Sequence, residues 1–331
     1  MIDTQEIISQ LTPNLQKRIT TGNTVHIEKQ PTPSVSLNLA LKGGLAYGRQ
    51  VLIWGNKSAG KSSFCQQLIG EAQKAGKVCG WVDSEQSFDP EWAERLGVDT
   101  GELLYTPSKS INNMVDDAGQ LMDAGVDILV VDSISALLPA VYFEKDSEEL
   151  KQLENTKQIG AEARDMTNAV KMLNYKNDKT LLILISQQRN ALGSMFVSHI
   201  PTGGKAVQFF SSTVIKLWSS ESANKAITAK VNVGDKILER DIGRQVTWMI
   251  DFNKTGPAFV SGQYDFYFDG PFVGIDTVGE LFDAAVERGV IAKGGAWFTF
   301  PSGERAQGRA KGIEYLNANE SERNSIVSVL R

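Results

Sequence analysis

VLIWGNKSAGKSSFCQQLIGEAQKA, residues 51–75, sets a short apolar run against a glycine-bearing turn and then an amphipathic stretch. VLIW is too apolar for a strand with one wet face and too short for a helix, so it reads as a strand covered on both sides. Gly55, Asn56, Lys57, Ser58, Ala59, Gly60, Lys61 and Ser62 then fit GxxxxGK[ST] between strand and helix. In that context the glycines let the backbone curl so that its N–H groups face phosphate oxygens. Lys61 reaches the terminal phosphates and Ser62 offers an oxygen to Mg²⁺.

Outward from this loop, VCGWV (Val78 to Val82), ILVV (Ile128 to Val131) and LLILI (Leu181 to Ile185) are equally apolar and alternate with helical stretches. This predicts an α/β fold built on a mostly parallel twisted sheet with helices on both faces. VIKLW, VTWMIDF and YDFYF follow with loops and no long helices, which predicts hairpin strands at one side. In such a sheet the ligand lies beyond the carboxyl ends of the strands, so the first polar residues there are the candidates. Asp132 closes ILVVDS and is the natural carboxylate for a Mg²⁺ shell. Glu85, two residues beyond Asp83, is placed to orient a water in line with the γ-phosphate, with Asp83 as its rival. Gln187 cannot act as a base, but its amide can sense whether the γ-phosphate is present.

The stretch SQQRNALGSMFVSHIPTGGKA, Ser186 to Ala206, follows the last run directly, so the strand is expected to end at Ser186. As a loop it is too apolar and as a helix it has no period. Because it begins beside Gln187, its conformation is expected to depend on the nucleotide, as in segments ordered by a γ-phosphate.

Composition narrows the function classes. The 331 residues carry a formal charge of -5, so a nucleic-acid partner has to be held by a local basic face. Cys65 and Cys79 lack CxxC spacing and His26 and His199 are isolated, which gives neither a disulfide frame nor a metal site. No run approaches membrane-spanning length and Met1 to Thr20 does not read as a signal peptide, so no membrane role is expected. A cytoplasmic protein, of a bacterial cell or of a phage acting in its host, is the expectation. At the N-terminus Asp3 and Glu6 make a capping box. Ile7, Ile8, Leu11, Leu15 and Ile19 form apolar faces with no core of their own.

Several ordered blocks resemble the RecA family of recombinases in its bacterial and phage form. They include PSVSLNLALKGGLAYGRQVLIWGNKSAGKSS, VDSEQSFDPEWAERLGVD, VDILVVDSISALLP, LLILISQQRNALGSMF, TGGKAVQFFSS and GAWFTFPSGERAQGRAKG. The resemblance implies a RecA-type ATPase core over about residues 33–262, preceded by a helical oligomerisation segment and linker at 1–32. A small C-terminal α+β domain is implied at 263–331. It implies an ATP- and Mg²⁺-dependent protein that polymerises on single-stranded DNA as a helical filament with ATP at the subunit interface, pairs that strand with homologous double-stranded DNA, and exchanges strands.

Carried over by position, the phosphate loop extends to Ser63, Glu85 is the catalytic glutamate, Asp132 is associated with Mg²⁺, and Gln187 relays γ-phosphate state to DNA. Asp89 and Trp92 hold adenine. The stretch near 188–206 becomes the second DNA-binding loop. Arg189 and Lys205 suit phosphates, Gly203 and Gly204 allow close approach, and Leu192, Met195, Phe196 and Val197 suit bases. The first DNA-binding loop, about 140–160, precedes Ile159, with Arg164, Thr167 and Lys171 on the helix beyond it.

The match has departures. VYFEKDSEELKQLENTKQI carries acidic residues that would repel phosphates. DFNKTGP keeps Lys254, read as acting on a neighbour's nucleotide, but has Phe252 where bacterial members carry a second lysine. Two alternatives share the nucleotide site: a ring-forming helicase or motor, and a regulatory protein switched by ATP.

Overall fold

The computed structural model describes residues 3–22, 26–139, 158–190, 199–219, 225–233, 236–270 and 272–330, with backbone only at 158–163, 190, 204–205, 231–233 and 236–237. The chain opens with two short helices, α1 (Thr4–Ser9) and α2 (Pro13–Gln16). The elements β1 (Lys29–Gln30), α3 (Val35–Ala40) and β2 (Leu45–Ala46) lead to β3 (Gln50–Gly55), α4 (Lys61–Lys74) and β4 (Cys79–Asp83). Next come α5 (Pro90–Arg95), β5 (Leu103–Pro107), α6 (Ile111–Asp123), β6 (Ile128–Asp132), α7 (Gln158–Lys176) and β7 (Leu181–Asn190). β8 (His199–Pro201), α8 (Gly204–Phe210), β9 (Thr213–Trp218), β10 (Ala226–Val233), β11 (Lys236–Asn253), β12 (Val260–Tyr267) and β13 (Gly274–Ile275) complete the large sheet region. The last part is α9 (Thr277–Glu287), β14 (Ala292–Gly294), β15 (Trp297–Thr299), β16 (Arg305–Gln307), α10 (Arg309–Ala318) and α11 (Glu320–Leu330).

The large sheet has the order β13-β12-β11-β9-β3-β7-β6-β4-β5. From β9 to β5 every pairing is parallel, and β11, β12 and β13 continue it antiparallel. The apolar runs explain this: alternate residues of each strand feed separate cores. Val51 and Ile53 join Phe64 and Leu68 of α4 on one face, whereas Leu52 and Trp54 join Met114 of α6 and Val170 and Leu173 of α7 on the other. A third core gathers Leu281, Phe282, Ala285, Phe298, Phe300, Leu316 and Ile326, with Val35 and Leu39 of α3 against it.

The structure lengthens what the sequence suggested. β7 does not stop at Ser186. It runs to Asn190, where Gln188, Arg189 and Asn190 pair with Pro201, Ile200 and His199 of β8. Backbone pairing in a hairpin that leaves the sheet tolerates polar side chains, so hydropathy missed it. β10 was not expected, and β11 is 18 residues long because its first residues, up to Asp241, pair only with β10 as a two-stranded ribbon. β5 was also missed: it is an edge strand whose Leu104 and Tyr105 are exposed. The expected N-terminal linker includes β1, which pairs with β2.

Candidate nucleotide site and nucleic-acid face

β3 ends against β9 so closely that a Cβ on Gly55 would lie 1.7 Å from Leu217 O, and only glycine lets the turn start there. Ser58 and Gly60 take left-handed conformations, with φ of 59° and 77°, and wind the chain into the first turn of α4. A left-handed serine is uncommon, and such backbone occurs where a loop must present its N–H groups. Asn56 ties the loop to the end of β9: its Nδ2 donates to Ser219 O at 2.9 Å and its Oδ1 accepts from Ser219 N at 3.3 Å.

The loop walls a cavity of about 250 Å³ lined by residues 57–63, Glu85, Asp132, Ile185 and Gln187. Three strand tips and the phosphate loop therefore converge, as the sheet topology requires. Lys61 is buried, and its Nζ donates to Asn56 O at 2.9 Å and Gly55 O at 3.4 Å. Burial lowers its pKa, opposed by the charges of Asp132 and Glu85.

Ser62 and Asp132 line the same cavity. Burial pushes the Asp132 carboxyl up to about 6, and Glu85 and Asp83 add to the rise against Ser62 and Lys61. A hydroxyl and an under-neutralised carboxylate on one cavity wall beside a phosphate loop fit Mg²⁺, which takes few protein ligands and completes its shell with phosphate and water. Among the described residues no cluster of His, Cys, Asp and Glu forms an all-protein metal cage.

Glu85 faces the cavity. Its Oε1 accepts from Gln187 Nε2 at 2.7 Å and from Ser133 Oγ at 2.5 Å. Asp83, the rival carboxylate, is buried and off the cavity wall. It accepts from Glu85 N, Ser87 N, Phe88 N and the Tyr105 hydroxyl at 3.1 to 3.4 Å. Those four donors make Asp83 the organiser of the loop that carries Glu85.

Asp89 caps α5, with Oδ1 accepting from Glu91 N and Trp92 N. Trp92 Nε1 donates to Ser63 Oγ at 3.2 Å, which joins the indole to the phosphate loop, and the Arg95 guanidinium lies 5.3 Å from its ring.

The remaining candidates lie away from this cavity. Lys254 is exposed, with Nζ 3.4 Å from Phe209 O and 5.8 Å from the Phe252 ring. On α7, Met166, Ala169, Val170 and Leu173 point inward and Arg164 and Lys171 are exposed, with Thr167 half-buried between the two faces. Ile159 lies in the first turn of α7. Arg189 is exposed on the β7–β8 hairpin. Gly203, with φ of 93°, starts α8, whose first residues are Gly204 and Lys205. Leu192, Met195, Phe196 and Val197, and residues 140–157 of the first loop, lie outside the described residues. The sequence reading missed Asn56 as a strap and Ser84, Ser133 and Ser135 as strand-tip donors and acceptors. Serines after a strand carry no distinguishing pattern.

A family model of the RecA N-terminal domain matches residues 9–268, and one of the RecA C-terminal domain matches 279–331. The chain belongs to the RecA family. Proteins named Protein RecA are similar over most of their length. That of Saccharopolyspora erythraea is 33% identical over 91% of this chain and 82% of its own. That of Brucella anthropi is 34% identical over 93% and 80%, and that of Rhodospirillum rubrum 33% over 94% and 80%. RecA membership places the chain among ATP- and DNA-binding proteins of recombination and repair. No described helix is long and apolar enough to cross a membrane.

Proposed function

We propose that the chain is an ATP-dependent recombinase that polymerises on single-stranded DNA, pairs it with homologous duplex and promotes strand exchange, with DNA-stimulated ATP hydrolysis. The observation that carries this reading is the hydrogen bond from Gln187 Nε2 to Glu85 Oε1, because it joins a hydrolytic carboxylate to the root of a hairpin bearing Arg189.

In this reading residues 55–63 cradle the phosphates, Lys61 meets the terminal ones, and Trp92 and Asp89 hold adenine. Ser62 and Asp132 hold Mg²⁺, which supplies charge neutralisation on the phosphates when bound. Glu85 orients a water and takes its proton as the water oxygen bonds to the γ-phosphorus and the β–γ bridge breaks, leaving ADP and phosphate. A γ-phosphate oxygen competes with Glu85 for the Gln187 amide. The amide's choice resets the β7–β8 hairpin and the start of α8 beyond it, where Arg189, Lys205, Leu192, Met195, Phe196 and Val197 meet the strand. Arg164 and Lys171 extend that face along α7.

Filament formation is supported by apolar surface that a neighbouring copy would cover. The helices α1 and α2 bury no side chain, and Phe209 and Phe259 are 75% and 85% exposed. Lys254, away from its own chain's cavity, then acts on the neighbour's nucleotide. The three-part division at 32 and 262 belongs to this reading.

A strand-exchange assay with purified protein, ATP and Mg²⁺ tests it, with electron microscopy on single-stranded DNA and a non-hydrolysable ATP analogue. Paired products and open helical filaments are expected. Closed rings without pairing would overturn it in favour of a motor.

A further inference from the structure

The tips of β4, β6 and β7 are stitched together by hydroxyls that no sequence motif marks. Ser133 is fully buried and does not line the nucleotide cavity. Its Oγ lies 2.5 Å from Glu85 Oε1, the same oxygen that accepts from Gln187 Nε2 at 2.7 Å. Its backbone is fixed from behind. Ser133 O accepts from Ser84 Oγ at 2.9 Å, Ser84 N donates to Asp132 O at 2.7 Å, and Ile134 N donates to Ile185 O at 3.0 Å. Gln187 N donates to Ser135 Oγ at 2.8 Å, so the glutamine main chain stays anchored whatever its side chain does.

The two donors on Glu85 Oε1 are not equivalent. Gln187 is exposed on the cavity wall, so a phosphate oxygen can draw its amide away through a charge-assisted hydrogen bond. Ser133 is enclosed and off that wall, so its hydroxyl stays with the carboxylate.

We infer that Ser133 is a positioning residue for hydrolysis: it keeps Glu85 Oε1 pinned once Gln187 has turned to the γ-phosphate, leaving Oε2 to face the attacking water. This rests on the reading of Glu85 as the group that orients that water. The terminal torsion of a glutamate is broad, so without the hydroxyl the carboxylate samples orientations that miss the water. The loss falls on alignment in the transition state and not on nucleotide binding.

The test is Ser133→Ala in the full chain, which removes one oxygen and adds no volume. With saturating single-stranded DNA and Mg²⁺, kcat for ATP is expected to fall about tenfold or more, while KM stays within about twofold. In a Glu85→Ala background, followed by single turnover, adding Ser133→Ala is expected to change nothing, because the hydroxyl acts only through that carboxylate. An unchanged kcat in the single variant, a raised KM, or an equal loss in both backgrounds overturns the inference. Glu85→Ala hydrolysing ATP as fast as the wild type overturns the inference and also the reading of Glu85, whereas a slow Glu85→Ala with a fully active Ser133→Ala removes Ser133 alone. Should Ser133→Ala not fold, Ser133→Cys, which keeps a weaker donor, is expected to show the same kcat-only loss in smaller degree, and full activity there also counts against it.

Discussion

Glu85 and Asp83 illustrate what one residue's surroundings decide. Both are carboxylates after the same strand, two positions apart, and chain order alone does not separate them. Four donors converge on Asp83, whereas Glu85 meets the cavity. Glu85→Gln is therefore expected to keep ATP and DNA binding while slowing turnover by about 10²-fold or more, the range in which a positioned base contributes. Single-turnover hydrolysis measured beside nucleotide affinity checks this, and unchanged turnover removes Glu85 from the chemistry. Lys61 and Ser62 were legible from the phosphate-loop motif and Asp132 as the first polar residue after an apolar run, whereas Glu85 and Gln187 stand one or two residues past such an end, within the short polar stretch that follows it. Ser133 and the strapping of Asn56 to Ser219 were not, because each is a hydrogen bond to a partner far away in sequence.

At the scale of elements, β3, β4, β6 and the first half of β7 were readable because burial on both faces demands unbroken apolar runs. The second half of β7, β8, β10 and the start of β11 are held by backbone pairing on exposed ribbons, which leaves no hydrophobic signature. The joint between α3 and α9 was equally hidden. Glu280 of α9 is partly buried, and its carboxylate accepts from the Ser34 and Ser36 hydroxyls at 2.9 and 2.6 Å and from Val35 N and Ser36 N at 3.1 and 3.4 Å. Burial pushes this carboxyl up to about 7 from an ordinary value of 4.5, against the four hydrogen bonds. Between those two pH values the folded chain holds the proton that the unfolded chain releases, so the joint's contribution is greatest at low pH and falls as pH rises toward 7. Glu280→Gln is expected to match the wild type at pH 5 and to equal or exceed it at pH 8, by on the order of 1–3 kcal/mol. Glu280→Ala strands four donors and is expected to cost about 1–3 kcal/mol at either pH. Denaturant unfolding at both pH values reads the difference, and a Glu280→Gln variant that weakens as pH rises would contradict the sign.

Across the whole molecule, the sheet order gathers Gly55, Asp132 and Gln187 on neighbouring strands, at the edge of their parallel pairing, although they are far apart in the chain. With a formal charge of -5, attraction to DNA has to come from a local basic face, which the proposed function assigns to Arg164, Lys171, Arg189 and Lys205. Affinity for single-stranded DNA is therefore expected to fall linearly in log K against log salt, with a slope near -0.7 per phosphate neutralised. Fluorescence titration across salt concentrations measures it, and a flat plot would exclude that face.

If the triphosphate pocket governs the grip on DNA through Gln187, single-strand affinity has to follow the nucleotide state. The wild type is expected to bind at least about tenfold more tightly with a non-hydrolysable ATP analogue and Mg²⁺ than with ADP or with no nucleotide. Gln187→Ala is expected to bind the analogue yet remain at the ADP level of DNA affinity. Equal affinity of the wild type in all three states, or full tightening in Gln187→Ala, would contradict the account.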